Sequence, residues 1–99
     1  MPTTRPTARQ PTHPGELLRE DVLPSRVISK TEAARLLGIS RETLYRILRG
    51  DQPIGIALAA RLGKLCGNGP GLWLRMQAAH DVWKAERIDT SDTPTIRAA

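Results

Sequence analysis

Arg41, Glu42 and Arg46 are the side chains whose types and spacing best suit chemistry at a surface, and that chemistry is recognition rather than bond making. A guanidinium fork can donate two hydrogen bonds to the N7 and O6 of a guanine, and a carboxylate can accept from the amino group of a cytosine. Each well-formed bidentate pair contributes roughly 1–3 kcal/mol of discrimination between bases. Arg41 falls in the first turn of a short helical segment, where a helix entering the DNA major groove points at base edges. Glu42 and Arg46 are i and i+4, so Glu42 either reads a cytosine or holds Arg46 in place, and the spacing fits both. Around them Lys30, Ser40, Thr43, Tyr45 and Arg49 are candidates for phosphate contact, together with the NH groups at helix starts. Tyr45 fits a place against the sugar-phosphate and a place over the edge of the core equally well.

Such residues work only if two helices and a tight turn hold them. The stretch Lys30 to Arg49 supplies both. Ala33, Ala34 and Leu37 form one apolar stripe at helical spacing, and Leu44, Ile47 and Leu48 form another. Between them, Gly38 suits the left-handed residue that ends a helix, and Ser40 suits the cap that begins the next. If the second of these helices buries Leu44, Ile47 and Leu48, a 100° step per residue puts Glu42, Tyr45, Arg46 and Arg49 on the opposite side. An exposed Arg/Glu face on a short helix is usually only solvated. The turn and the caps beside it favour contact with double-stranded DNA.

The rest of the chain is read as an all-α fold of five helices. Residues 1–12 are Pro- and Thr-rich with Arg5 and Arg9, a flexible basic tail. Pro14 to Val22 is the first helix, with Leu17, Leu18 and Val22 inward; Pro24 is expected to stop it, with Val27 and Ile28 tucking under the core. Ser29 and Glu32 form a capping box at the start of the second helix, which runs to about Leu37. The third covers about Arg41 to Arg49, and the fourth about Ile56 to Cys66, with Leu58, Leu62 and Leu65 inward. Gly63 inside it costs on the order of 1 kcal/mol against alanine, which marks a close helix contact. Pro70 opens a fifth helix reaching roughly Arg87, with an apolar side of Leu72, Trp73, Met76, Ala79 and Trp83. Trp73, Met76 and Trp83 are core or dimer-interface residues, and an apolar stripe there suits the two-fold dimer that a palindromic operator requires. Residues 88–99 are turn formers, a second flexible tail, which leaves residues 13–87 as one DNA-binding and dimerisation domain.

Composition agrees. The chain of 99 residues has room for one domain, and with no Phe, one Tyr and two Trp its core must be mainly aliphatic. It carries 15 basic and 10 acidic residues, and 12 of the cations are Arg, whose planar fork suits phosphate and guanine. Five of these cations, Lys30, Arg35, Arg41, Arg46 and Arg49, fall within the central stretch against Glu32 and Glu42. No apolar run is long enough to span a bilayer and no secretory signal is present, so a cytoplasmic protein without membrane contact is expected. Its prolines argue against an organelle-targeting helix at the N-terminus. Cys66, the lone cysteine, excludes an internal disulfide and is read as a small buried apolar residue in a reducing compartment. His13, His80, Cys66 and the scattered acids show no metal-ligand spacing. No nucleophile motif or phosphate-cradling loop is present, so no enzyme activity, metal or cofactor is expected. His80 is read as a helix-surface or interface side chain.

From His13-Pro14-Gly15-Glu16 through SKTEAARLLGISRETLYRILRG to LWLRMQAAHDVWKAER, about residues 12 to 87, the chain resembles the HigA-type antitoxins, a branch of the lambda-repressor-like (XRE) helix-turn-helix proteins. The resemblance implies a five-helix lambda-repressor-like domain and a homodimer that represses its own operon. It also implies a second partner, a small RelE-like toxin that cleaves mRNA and is held inactive, and a bacterial, nucleoid-associated location. Lys30 stands where the family usually has a glutamine at the DNA backbone, which keeps a phosphate donor. Gly55-Ile56 replaces the usual Thr-Pro helix start and Gly69 replaces a capping serine, both weaker caps. The same residues also fit a solitary regulator without a toxin, or a protein-interaction module that has lost DNA binding.

Overall fold

The computed structural model describes residues 9–97 and contains five helices and no strand among them. Helix α1 covers residues 14–26, α2 Lys30–Leu37, α3 Arg41–Leu48, α4 Ile56–Cys66 and α5 Gly71–Ala85. The core is aliphatic except for one indole: Leu18, Leu23, Ala33, Ala34, Leu37, Leu44, Ile47, Leu48, Ile54, Ala59, Leu62 and Trp73 are all buried. A fully buried Leu or Ile contributes about 1.5–3 kcal/mol, so the two stripes of α2 and α3 anchor both helices to one body.

Helix α1 begins at a histidine. The His13 Nδ1 accepts from the Gly15 N–H at 2.9 Å, doing what a serine cap usually does. Gly15 lies against the end of α3, and a Cβ there would come within 1.7 Å of the Ile47 carbonyl oxygen. Only glycine allows that approach. Pro24 does not stop the helix at Val22 as expected; α1 runs on to Arg26. The reason lies one turn earlier, where Leu18–Val22 is π-helical and the Leu23 N–H reaches back five residues to the Leu18 carbonyl. The wider turn makes room for the proline ring and absorbs its missing donor.

The helix ends instead at Val27, whose φ of 53° and ψ of 45° are left-handed. Val27 does not tuck under the core, since it is 91% exposed. Its neighbour Ile28 is half-buried against the core. Leu18 is buried on α1, with Leu17 and Val22 packed partly against the core.

Helix α4 buries Ala59, Leu62 and Gly63, while Leu58, Leu65 and Cys66 are half-buried. The close contact expected at Gly63 is present, but its partner is the turn between α4 and α5 rather than another helix: a Cβ there would lie 2.2 Å from the Gly69 carbonyl carbon. Helix α5 departs from its predicted pattern. Its buried residues are Trp73, Gln77 and His80, so Trp73 belongs to the core and the continuous apolar stripe is split. Leu72, Met76 and Trp83 are half-buried, and Ala79 and Val82 are exposed. Gln77 is tolerated inside because its Oε1 accepts from the buried Ile54 N–H at 2.8 Å and its Nε2 donates to Asp81 at 3.0 Å. At the termini, residues 1–8 of the expected basic tail lie outside the described residues, and Gln10 docks on His80. Residues 88–97 are non-helical and exposed.

Candidate nucleic-acid interface

The interface is built by two capped helices and the turn between them. The Ser29 hydroxyl accepts from the Glu32 N–H at 3.1 Å and starts α2. The second half of the expected capping box is not made: the Glu32 carboxylate turns instead to Arg35, which donates from Nε at 3.0 Å and also from its terminal nitrogen. A two-point charged bond outcompetes one bond to a backbone donor. Arg35, acting first by hydrogen bonding and then by its charge, holds the Glu32 carboxyl below the usual range. Gly38, with φ of 71°, ends α2 in the left-handed region that a side chain disfavours. The place where its Cβ would stand is taken by the Arg61 guanidinium, which donates to the Leu37 carbonyl at 3.0 Å.

Ser40 then caps α3, accepting from the Thr43 N–H at 3.0 Å and donating its own proton to the Thr43 hydroxyl at 2.9 Å. This leaves the Thr43 hydroxyl proton as the one available to an outside acceptor. Leu44, Ile47 and Leu48 are buried at 0–3% exposure, and Arg41, Glu42, Arg46 and Arg49 are exposed on the other side. The helix therefore sits with the orientation its periodicity predicts.

The side chains of this face are not equivalent. Arg46 pairs with Glu42 at 3.0 Å, so of the two roles open to Glu42 the free protein displays the one that positions Arg46. Arg49, the C-cap of α3, pairs with Asp51 at 3.0 Å. The Lys30 ammonium lies 5.6 Å from the centre of the half-buried Tyr45 ring, a cation-π contact that joins the start of α2 to the outer face of α3. Tyr45 also packs against the core, as one of its two readings has it. Arg41 makes no such pair among the described residues. Exposed pairs of this kind contribute about 0–1 kcal/mol, so they orient these side chains without locking them away from a ligand.

Several cations counted as basic charge are structural. Arg19 on α1 donates to the Leu48 carbonyl at the end of α3, at 3.0 Å, as Arg61 does for α2. Arg26 reaches the Cys66 carbonyl at the end of α4, at 3.2 Å. Each places a cation at the negative end of a neighbouring helix and satisfies an orphan acceptor. No sequence signal marks them, because their partners are 24 to 40 residues away. His80 is also misread from sequence: it is buried, its ring edge-on to His13 with centroids 4.9 Å apart.

Of the residues expected at a dimer interface, Trp73 is withdrawn into the core, where its indole N–H donates to Asn68 at 3.3 Å. Met76 and Trp83 remain on the partly exposed side of α5, with the Arg87 guanidinium 3.7 Å over the Trp83 ring. No helix among the described residues is long and apolar enough to cross a membrane, and no cluster of three or more potential metal ligands occurs among them.

Two capped helices around a glycine turn, with an exposed Arg-rich second helix, define a helix-turn-helix domain. A helix-turn-helix family model matches residues 25–73. Antitoxin HigA-1 of Vibrio cholerae is 35% identical over 82 residues, covering 80% of this chain and 74% of the relative. The structure of the antitoxin GraA in complex with its operator superposes with a TM-score of 0.77 at 30% identity, covering 94% of this chain and 97% of that one. Pseudomonas aeruginosa antitoxin HigA with the higBA promoter gives a TM-score of 0.72 at 29% identity, over 81% of this chain and 97% of the other. The chain belongs to the HigA-type antitoxins of the XRE helix-turn-helix family, which are regulators and not enzymes.

Proposed function

We propose that this protein is the antitoxin of a type II toxin-antitoxin pair: a cytoplasmic homodimer that binds a palindromic operator, represses its own operon and neutralises a RelE-like mRNA-cleaving toxin. The observation that carries the DNA-binding part is the exposed face of α3, with Arg41, Glu42 and Arg46 outward and three core residues behind them. Solved structures of similar antitoxins with promoter or operator DNA support the same reading.

Arg41 and Arg46 donate to guanine edges, with Glu42 releasing Arg46 or itself accepting from a cytosine. Lys30, Ser40, Thr43, Tyr45 and Arg49 contact the sugar-phosphate, Ser40 chiefly through the helix start it caps. Releasing Arg46 from its exposed pair is cheap, since such pairs contribute at most about 1 kcal/mol. The partly exposed side of α5, with Met76 and Trp83, forms the dimer contact, and the two-fold axis places one α3 in each half-site.

Two measurements test this. Titration of the purified chain against its own promoter should give sequence-specific binding that weakens steeply with salt, because neutralised phosphates release counterions. Binding indifferent to sequence would defeat the recognition-helix assignment. Co-expression with the small reading frame beside its gene should yield a complex with a ribonuclease that regains activity when freed. A chain that purifies alone from that co-expression is a solitary regulator.

A further inference from the structure

We infer that His13 and His80 form a proton-sensitive latch that holds the end of the recognition helix in its DNA-competent position, an inference that rests on the DNA-binding reading above. The two imidazoles meet at a cavity of about 190 Å³ between the start of α1, the turn at residues 50–53 and α5. That turn directly follows α3. The His13 ring packs beside Gly50 and lines the cavity together with Gln52, while its Nδ1 holds the Gly15 N–H. Gly15 in turn rests on the Ile47 carbonyl in the last turn of α3. The histidine is thus a wedge with the recognition helix on one side and α1 on the other.

His80 ties in the second half. Its Nε2 lies 2.8 Å from the Gln10 amide nitrogen. An amide nitrogen donates, so His80 Nε2 accepts and the ring proton sits on Nδ1. Among the described residues Nδ1 is buried without a hydrogen-bond partner; Asp81 Oδ1 is 3.8 Å away and already takes the Gln77 amide at 3.0 Å. Gln77 holds the Ile54 N–H at 2.8 Å. A polar row therefore runs from the N-terminal arm through His80, Asp81 and Gln77 to the turn after α3, hydrogen-bonded except for the 3.8 Å gap between His80 and Asp81. The other charged groups lining the cavity are Lys84 on α5 and Asp51 on the turn, the latter paired with Arg49.

Protonation loosens both halves. A proton on His13 Nδ1 replaces the acceptor with a donor aimed at the Gly15 N–H, and the cap is lost. Burial, and then the facing His80, hold the His13 pKa below the ordinary histidine value, with Asp81 opposing them. A charged His80 attracts Asp81 away from the Gln77 amide nitrogen, which loosens the side chain whose oxygen holds the Ile54 N–H, and its Nε2 can no longer accept from Gln10. The ordinary histidine value lies between about pH 7.5 and about pH 5.5, the window over which the latch is tested.

The direction is diagnostic. Added positive charge by itself strengthens attraction to phosphate, whereas release of the latch weakens binding. The test is fluorescence anisotropy of the full chain with a duplex from its own promoter, at fixed ionic strength. Wild-type affinity should fall about tenfold from about pH 7.5 to about pH 5.5, the effect of roughly one linked proton over one pH unit. The His13→Asn, His80→Gln double variant keeps a cap acceptor and an amide-bonding group but cannot titrate, and its affinity should change less than about threefold. A wild-type affinity that is flat or rises with acid overturns the latch, as does a double variant that falls as steeply as wild type. In an NMR titration without DNA, the Ile54 amide and the Gln10 side-chain amide should move with the imidazole midpoints. An Ile54 amide that does not follow them overturns the latch in its own right. A chain that binds no promoter DNA at any pH overturns the function proposed above, and the Ile54 titration then decides the latch alone.

Discussion

Replacing Gly63 by alanine separates local from tertiary energetics by sign. Helix propensity alone predicts a gain of about 1 kcal/mol, because alanine in a helix interior loses less backbone entropy than glycine. The structure predicts a loss. The added Cβ would lie 2.2 Å from the Gly69 carbonyl carbon and 2.5 Å from both the Gly69 oxygen and the Pro70 nitrogen. All three are backbone atoms in a short turn, so no side-chain rotation relieves them. To restore ordinary contact the turn must move by more than about 1 Å, the scale of overpacking that costs about 1–3 kcal/mol.

That movement also stretches the Gly69 N–H to Gly63 carbonyl bond, now 3.1 Å, which contributes a further 0.5–1.5 kcal/mol or so. Set against the propensity gain, the net is a destabilisation of about 0.5–3.5 kcal/mol. Urea unfolding of the variant and wild type, followed by far-UV circular dichroism, measures it, and the thermal midpoint should drop by at least about 2 °C for a domain of this size. Gly55→Ser is the control, since a side chain there meets nothing within 4 Å and the residue is an extended N-cap. It should gain about 0.5 kcal/mol through capping and a stiffer unfolded chain. A Gly63→Ala chain more stable than wild type would show that the turn does not press on α4.

Four further outcomes follow from the same structure. Val27→Gly should stabilise the fold by about 0.5–1 kcal/mol in the same denaturation assay, since it removes a left-handed β-branched residue costing about 1–2 kcal/mol and loses little buried surface from a side chain 91% exposed. Arg19→Met should cost about 1–2 kcal/mol of stability by leaving the Leu48 carbonyl without its cation, with amide exchange fastest in the last turn of α3. In a promoter-binding assay across single-base variants, Arg41→Ala or Arg46→Ala should relax discrimination at particular base pairs by about 1–3 kcal/mol, whereas Lys30→Ala should weaken all sequences alike. His13 has a folded pKa below its unfolded value of 6.5, so its contribution is fully present above that pH and is lost as pH falls through the folded value. The urea midpoint should decline from about pH 6.5 downward in wild type and less so in His13→Asn.

Sequence by itself determined the elements that local rules govern. The apolar stripes of α2 and α3, their serine caps and the Gly38 turn are set by neighbours within four residues, so their bounds and their outward face were legible. Membership of the family was legible for the same reason, through motifs that lie in order along the chain. The tertiary structure decided whatever depends on partners far apart. It passed α1 through Pro24 by widening a turn, withdrew Trp73 into the core, and gave Glu32 to Arg35 in place of the capping box. It spent Arg19, Arg26 and Arg61 on carbonyls 24 to 40 residues distant, which no period or motif encodes. It also faced α5 inward with Gln77 and His80, since a buried polar residue is acceptable only where the fold brings it a partner: Gln77 meets the Ile54 N–H of the turn after the recognition helix, and His80 meets Gln10.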